Sequence, residues 1–223
     1  MQLKIDLHVH THYSYDGLIT PKELVYYAKK RELDGVAITD HDTVEGALKI
    51  ARENDLLIIP GVEISSLDGH VVGLNVFETI QRGLSVEETV DKIHDAGGIA
   101  VACHPTTLFK SSLKRRMKAK FDAVEVINAS AFPFKYAVKR SKEFAQNLGV
   151  AQVAGSDAHY GPEVGYAYTI VDAEPEILNI IEALTRGSCK PFGNPIPLSL
   201  RLKRIMLRFK ERFSSYKNVG RWR

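Results

Sequence analysis

Short apolar runs alternate with amphipathic stretches along most of this 223-residue chain. The runs 3–9, 35–39, 56–60, 70–77, 98–103, 122–127, 150–155 and 166–171 have the length of strands, and several are continuously apolar. Unbroken apolarity marks strands buried on both faces, as in a parallel sheet covered by helices. Helical patterns fall between most of them, near 44–53, 137–148 and 175–186, and two more carry explicit start signals. Thr20-Pro21-Lys22-Glu23 and Ser85-Val86-Glu87-Glu88 each place a hydroxyl at the cap and a Glu three residues on, so two orphan backbone donors are satisfied reciprocally. Gly97-Gly98 ends the second helix. Repeated strand–helix units with right-handed crossovers close into a barrel, whose working residues gather at the C-terminal strand ends. The pattern therefore predicts an α/β barrel.

After Asn194-Pro195-Ile196-Pro197 the pattern changes. Leu198, Leu200, Leu202, Ile205, Met206, Phe209 and Phe213 recur at helical spacing among Arg and Lys. This predicts an amphipathic basic helix over 198–214, its apolar stripe laid on the barrel and its basic face solvated. The chain thus divides into a domain at 1–197 and a basic C-terminal helix or tail at 198–223. The formal net charge of +3 hides this contrast: residues 201–223 hold nine Lys/Arg and one acid. Nucleic-acid or anionic-membrane contact by the basic face is the minor alternative to a solvated face. No apolar run approaches the roughly 20 residues of a membrane span, and no charged-then-apolar leader opens the chain, so a cytoplasmic protein is expected. Cys103, inside an apolar run, and Cys189, after a Gly-Ser turn, show no redox spacing and receive no role.

The chemistry sits where the runs end. His8 and His10 close the first run, with Asp16 in the loop after it; His41 follows the second, Glu63 the third and His104 the fifth. Asp157 and His159 close the seventh, and His70 opens the run HVVGLNVF, so that strand is antiparallel or the residue belongs to the preceding loop. Imidazole and carboxylate are the ligands borderline divalent ions prefer. His8/His10 and Asp157/His159 are i, i+2 pairs, whose side chains share a strand face. One such pair is weak evidence; two on separate strands, with Glu63 able to offer two oxygens, indicate a multinuclear metal site. Asp6 and Asp40 read as supporting partners, Asp42 or Thr43 as a helix cap, and His12 and His94 as loop and surface residues.

DLHVHTHYSYDG, ITDHDT, GVEIS, GHVVGL, CHP and GSDAH, in this order, resemble the motifs of the polymerase and histidinol phosphatase (PHP) superfamily over residues 3 to 159. The resemblance implies a distorted TIM-like (β/α)7-type barrel holding two or three divalent ions (Zn, Mn or Fe) and hydrolysing phosphate esters. Carried over by motif, it implies one ion position at His8, His10, Glu63 and Asp157. A second falls at Glu63, His70 and His104 with Glu63 bridging, and a third at Asp16, His41 and His159. The expected activity is phosphoester hydrolysis through a metal-bridging hydroxide, with Asp157 or His159 relaying a proton to the leaving group. The substrate is expected to be a nucleotide, an oligonucleotide or a phosphorylated metabolite. Only 33 residues separate His70 from His104, which leaves no room for the cap that some nucleotide-acting relatives carry.

Further cations would come from the segment after His104, where Lys110, Arg115 and Arg116 are the candidate phosphate contacts. Two other readings compete. A non-catalytic accessory or nucleic-acid-binding module would have lost ligands, and none is missing. An amidohydrolase would carry a bridging lysine where this chain has Glu63.

Overall fold

A computed structural model describes residues 1–53, 56–107, 113 and 119–219. Nine strands form a nearly closed barrel: β1 (Gln2–Val9), β2 (Gly35–Ile38), β3 (Leu57–Ser66), β4 (Gly69–Leu74), β5 (Ile99–Ala102), β6 (Ala123–Asn128), β7 (Ala151–Gly155), β8 (Ala167–Asp172) and β9 (Cys189–Gly193). They run in the order β7-β6-β5-β4-β3-β2-β1-β8-β9. Helices α1 (Pro21–Lys30), α2 (Glu45–Glu53), α3 (Val86–Asp95), α4 (Phe134–Leu148) and α5 (Ile177–Thr185) cover the outside, and α6 (Leu198–Val219) follows. The expected distorted α/β barrel is the fold that forms.

Both capping boxes are present, Thr20 with Glu23 and Ser85 with Glu88. The helix expected at 137–148 starts three residues earlier, behind Pro133. Thr43, not Asp42, meets the start of α2, its hydroxyl accepting from the Glu45 N–H at 3.2 Å. Asp42 instead accepts the Ser65 N–H at 2.8 Å and tethers β3.

Strand direction departs from a uniform parallel barrel in ways that matter for the site. β3 is parallel to β2 over Leu57–Pro60, then continues past it to pair with β4. β4 is antiparallel to both β3 and β5, so His70, at its beginning, lies at the same end as the termini of its parallel neighbours. β8 and β9 are antiparallel additions. β9 was not expected: CKPFG carries a lysine and a proline, and only cross-strand pairing with β8 makes it a strand.

Closure depends on β1. The Asp157 N–H donates to His8 O at 2.8 Å and the His10 N–H to Ala158 O at 2.9 Å. Asp6 fastens the same seam, its buried carboxylate accepting from Ser156 N at 2.8 Å, Gly165 N at 2.9 Å and His8 N at 3.3 Å. Burial outweighs those hydrogen bonds and pushes its carboxyl up to about 6. Leu3, Ile5 and Leu7 pack with Leu74, Val101 and Val153 to fill the barrel.

α6 departs in part from the expected orientation: Leu200 packs against the core and Lys203 is solvated, but most of the apolar stripe is not covered. Leu202, Ile205, Met206 and Phe209 are exposed, whereas Arg201 and Arg204 are partly buried against the barrel. The arginines find fixed acceptors there. Arg201 donates to Ala129 O at 2.8 Å, Ser130 O at 3.1 Å and Ile196 O at 3.0 Å, and Arg204 to Glu163 Oε2 at 2.9 Å. No helix among the described residues is long and apolar enough to cross a membrane.

Removing the Asp6 carboxylate strands the backbone donors that it gathers, at roughly 1–3 kcal/mol for each buried one. Asp6→Ala is therefore expected to destabilise the fold by about 3 kcal/mol, read as a lower urea midpoint at unchanged m-value.

Candidate metal centre

The barrel end carrying the strand termini opens into a cleft of about 280 Å³, lined by Tyr15, Asp16, His41, Glu63, His70, His104, Asp157, His159, Arg204 and Arg208. His8 and His10 lie beneath it, almost completely buried. All nine sequence-predicted ligand candidates are thus brought to one place.

Glu63 is the hub. Its Oε2 lies 3.2 Å from His8 Nε2 and 3.1 Å from His10 Nε2, and those two nitrogens are 3.1 Å apart. Its Oε1 lies 2.8 Å from both His70 Nδ1 and His104 Nε2. One carboxylate therefore offers an oxygen to each of two histidine pairs. Asp157 Oδ1 approaches His10 Nε2 at 3.5 Å. On the outer side, Asp16 Oδ2 lies 3.1 Å from His159 Nε2 and 3.7 Å from His41 Nε2.

Among the described residues, four overlapping groups have the compactness to hold an ion: His8 with His10 and Glu63; His10 with Asp16, His41 and His159; His41 with Glu63 and His70; and Glu63 with Cys103 and His104. The grouping is more shared than the motif-derived division, since His10 also joins the Asp16 set and His41 reaches towards Glu63, with Nδ1 at 3.4 Å. Cys103 Sγ lies 3.5 Å from Glu63 Oε1. Burial, then the Glu63 and Glu125 charges, push its thiol well up, so it stands there as a donor.

The donor set fits divalent ions. A tetrahedral zinc site with bonds of 2.0–2.1 Å spaces its ligand atoms by about 3.3 Å, close to the His8–His10–Glu63 triangle. Buried Nδ1 atoms of His10, His41 and His104 have no hydrogen-bond partner, a cost that a folded core does not ordinarily leave. Two ligand candidates also hold left-handed backbones, His104 at φ 32° and Asp157 at φ 54°. Strain of this kind persists where the surroundings dictate a side chain's aim.

The electrostatics are those of one coupled cluster. Burial opposes charge on His10, but hydrogen bonds to Asp157 and Glu63 outweigh it and push the imidazole up to about 9. His8 is likewise raised against its burial, by Glu125, Glu63 and Asp157. Burial holds His41 and His159 down to about 4, with the neighbouring His10 charge adding to the effect. Glu63 stays ionised despite complete burial because His8 and His41 face it and His10 and His104 hydrogen-bond to it.

Three supporting residues were not anticipated. Glu125, on β6, binds His8 Nδ1 at 3.0 Å and the His104 N–H at 2.8 Å, so one carboxylate orients two ligand candidates. Asn128 Nδ2 donates to Glu125 at 2.9 Å and to Asp157 at 3.3 Å. Glu163, fully buried, accepts the His159 N–H at 3.0 Å and the Arg204 guanidinium. An acid inside the apolar run FDAVEVIN was the available signal for Glu125. Nothing local marked Glu163. Of the expected phosphate contacts, Lys110, Arg115 and Arg116 lie outside the described residues.

The PHP domain family matches residues 6–196 of this chain. A protein of Methanocaldococcus jannaschii is 38% identical over 141 residues, which cover 57% of this chain and 82% of that one. The 5'-3' exoribonuclease Rnm of Salmonella typhimurium is 47% identical over 81 residues, covering 32% of this chain and only 27% of its own length. Among solved structures, a two-domain protein of Bacteroides vulgatus containing a predicted PHP-like metal-dependent phosphoesterase superposes with a TM-score of 0.71 at 19% identity, over 87% of this chain and 65% of that one. Endonuclease Q, in complex with a duplex substrate bearing an abasic lesion, superposes with a TM-score of 0.67 at 16% identity, over 87% of this chain and 60% of that one. The match over 6–196, on a barrel whose strand ends gather these histidines and acids, makes the chain a member of the PHP domain family.

Proposed function

We propose that this protein is a metal-dependent phosphoesterase acting on a nucleotide or oligonucleotide, with His8, His10, Asp16, His41, Glu63, His70, His104, Asp157 and His159 as its metal ligands. The observation that carries the reading is Glu63, a buried carboxylate that presents one oxygen to His8 and His10 and the other to His70 and His104. Divalent ions bound there supply acidification of a water to near-neutral pKa and neutralisation of the phosphate oxygens. Zinc, manganese and iron all suit such a donor set. The protein's own part is positional. Glu125 and Asn128 fix the imidazole of His8 and the carboxylate of Asp157, and the barrel wall keeps bulk water from all but the cleft side. His159 Nδ1 lies 3.0 Å from Asp157 O and 3.4 Å from its Oδ1. That contact supports assigning Asp157 and His159 the proton relay to the leaving oxygen. The exoribonuclease name of one relative and the duplex held by one structural neighbour favour a nucleic-acid substrate over a small metabolite.

The metal-reconstituted protein is expected to hydrolyse phosphate mono- or diesters in a mixed panel and to leave amides and lactones intact. His10→Ala and Asp157→Ala should each lower kcat at least 100-fold. Full activity in both variants would remove these residues from the site. Glu125→Gln, which leaves His8 less firmly oriented, should weaken metal affinity by about 10- to 100-fold, measured by chelator competition.

Metal loading should also release protons. His10, at about 9, is protonated near neutral pH in the metal-free protein, whereas a ligand nitrogen must be neutral. Apparent affinity should therefore rise with pH up to about 9 and fall below it. Calorimetry in two buffers of different ionisation enthalpy should show at least one proton released per zinc near neutrality; no release would separate His10 from the metal.

A further inference from the structure

The outer wall of the cleft is built by α6, which begins at Leu198, beyond the 6–196 span of the family match. Two of its arginines are committed to anchoring. Arg201 donates to three backbone carbonyls, and Arg204 pairs with buried Glu163 at 2.9 Å. Together they fix the roll of the helix about its own axis. Arg208, one turn beyond Arg204 on the same edge, is thereby placed at the cleft, where it makes no hydrogen bond or ion pair with any described residue.

Tyr15 also lines the cleft, close enough to Arg208 to feel its charge. It is 77% exposed, yet its ring stacks on His41 with centroids 5.0 Å apart and planes at 26°. One face of the ring is therefore held against a ligand candidate and the rest is open to solvent. An ordinary surface tyrosine would not be fixed in this way, and both groups line the mouth of one cleft. A π-face beside an uncommitted guanidinium matches the two chemically distinct parts of a nucleotide, a flat base and an anionic phosphate.

We propose that Tyr15 and Arg208 form a subsite for a nucleotide unit adjoining the scissile phosphate, the base stacking on Tyr15 and its phosphate pairing with Arg208. The assignment rests on the phosphoesterase reading above. It gives α6 a defined role, that of a specificity element added to the barrel.

The test compares the full-length, metal-loaded protein on p-nitrophenyl phosphate and on a short single-stranded oligonucleotide, with binding of the same fluorescent oligonucleotide followed by anisotropy. Arg208→Ala and Tyr15→Ala are each expected to lower the ratio of kcat/KM for the oligonucleotide to that for p-nitrophenyl phosphate by about tenfold, mainly through KM. Tyr15→Phe should restore most of the loss and Arg208→Lys only part of it. Arg208→Ala should also reduce the salt slope of oligonucleotide affinity by about 0.7. Equal losses on both substrates, or an unchanged ratio and salt slope, would overturn the subsite. Hydrolysis of p-nitrophenyl phosphate without turnover or binding of the oligonucleotide would overturn it too, while leaving the phosphoesterase standing. Were neither substrate cleaved, the phosphoesterase reading would fall and the anisotropy of the Arg208 and Tyr15 variants would still decide the subsite.

Discussion

A fully buried carboxylate, Glu63, sets the terms for the rest of this molecule. Taking a carboxylate out of water is costly unless cationic or hydrogen-bonding partners surround it. Here the partners come from separate strands: His8 and His10 from β1, His41 from the end of β2, His70 from β4 and His104 from the end of β5. The cluster can form only when those strands are in register, so the same interaction that makes the site also makes it conditional on the fold. Two local departures from a regular barrel permit it. β3 runs on past β2, its Glu63 bridged to His41 while also pairing with β4, and β4 turns back antiparallel, which returns His70 to the same end.

The seam between β1 and the end of β7 imposes a second constraint. His8 and His10 must face Asp157 and His159 across backbone hydrogen bonds, with almost no room between the strands. A Cβ on Gly155 would meet His8 Cβ at 2.4 Å and Glu125 Oε1 at 2.9 Å, so glycine is the residue that lets the backbones carrying the ligand candidates approach. Asp6 holds the seam from behind, and Glu125 holds His8 from within the barrel. His104 and Asp157 hold positive φ, a backbone state that persists where the surroundings dictate it.

α6 shows how a helix can be docked by its charged edge. Hydrophobic burial ordinarily directs an amphipathic helix, and the exposed Leu202, Ile205, Met206 and Phe209 run against that rule. Arg201 and Arg204 offset the loss by donating to carbonyls and a buried carboxylate that would otherwise have unfilled acceptor capacity. Glu163 couples the helix to the centre, because it holds both Arg204 and the backbone of His159.

The sequence by itself determined the features that rest on local chemistry. Apolar runs marked eight of the nine strands, and the Thr20 and Ser85 boxes marked two helix starts, because side-chain periodicity and capping involve residues only a few positions apart. Histidines and acids at run ends marked the candidate centre for the same reason: a barrel converts strand ends into one surface. Tertiary structure alone decided what depends on partners distant in the chain. The direction of β4 settled which end His70 occupies. Pairing with β8 made CKPFG a strand, and buried acceptors on the barrel turned α6 so that Arg204 and Arg208 face the cleft. Glu125 and Glu163 acquire their meaning only from His8, His104, His159 and Arg204, which the fold brings to them. Local pattern reports what a segment can bury; long-range register reports what it meets there.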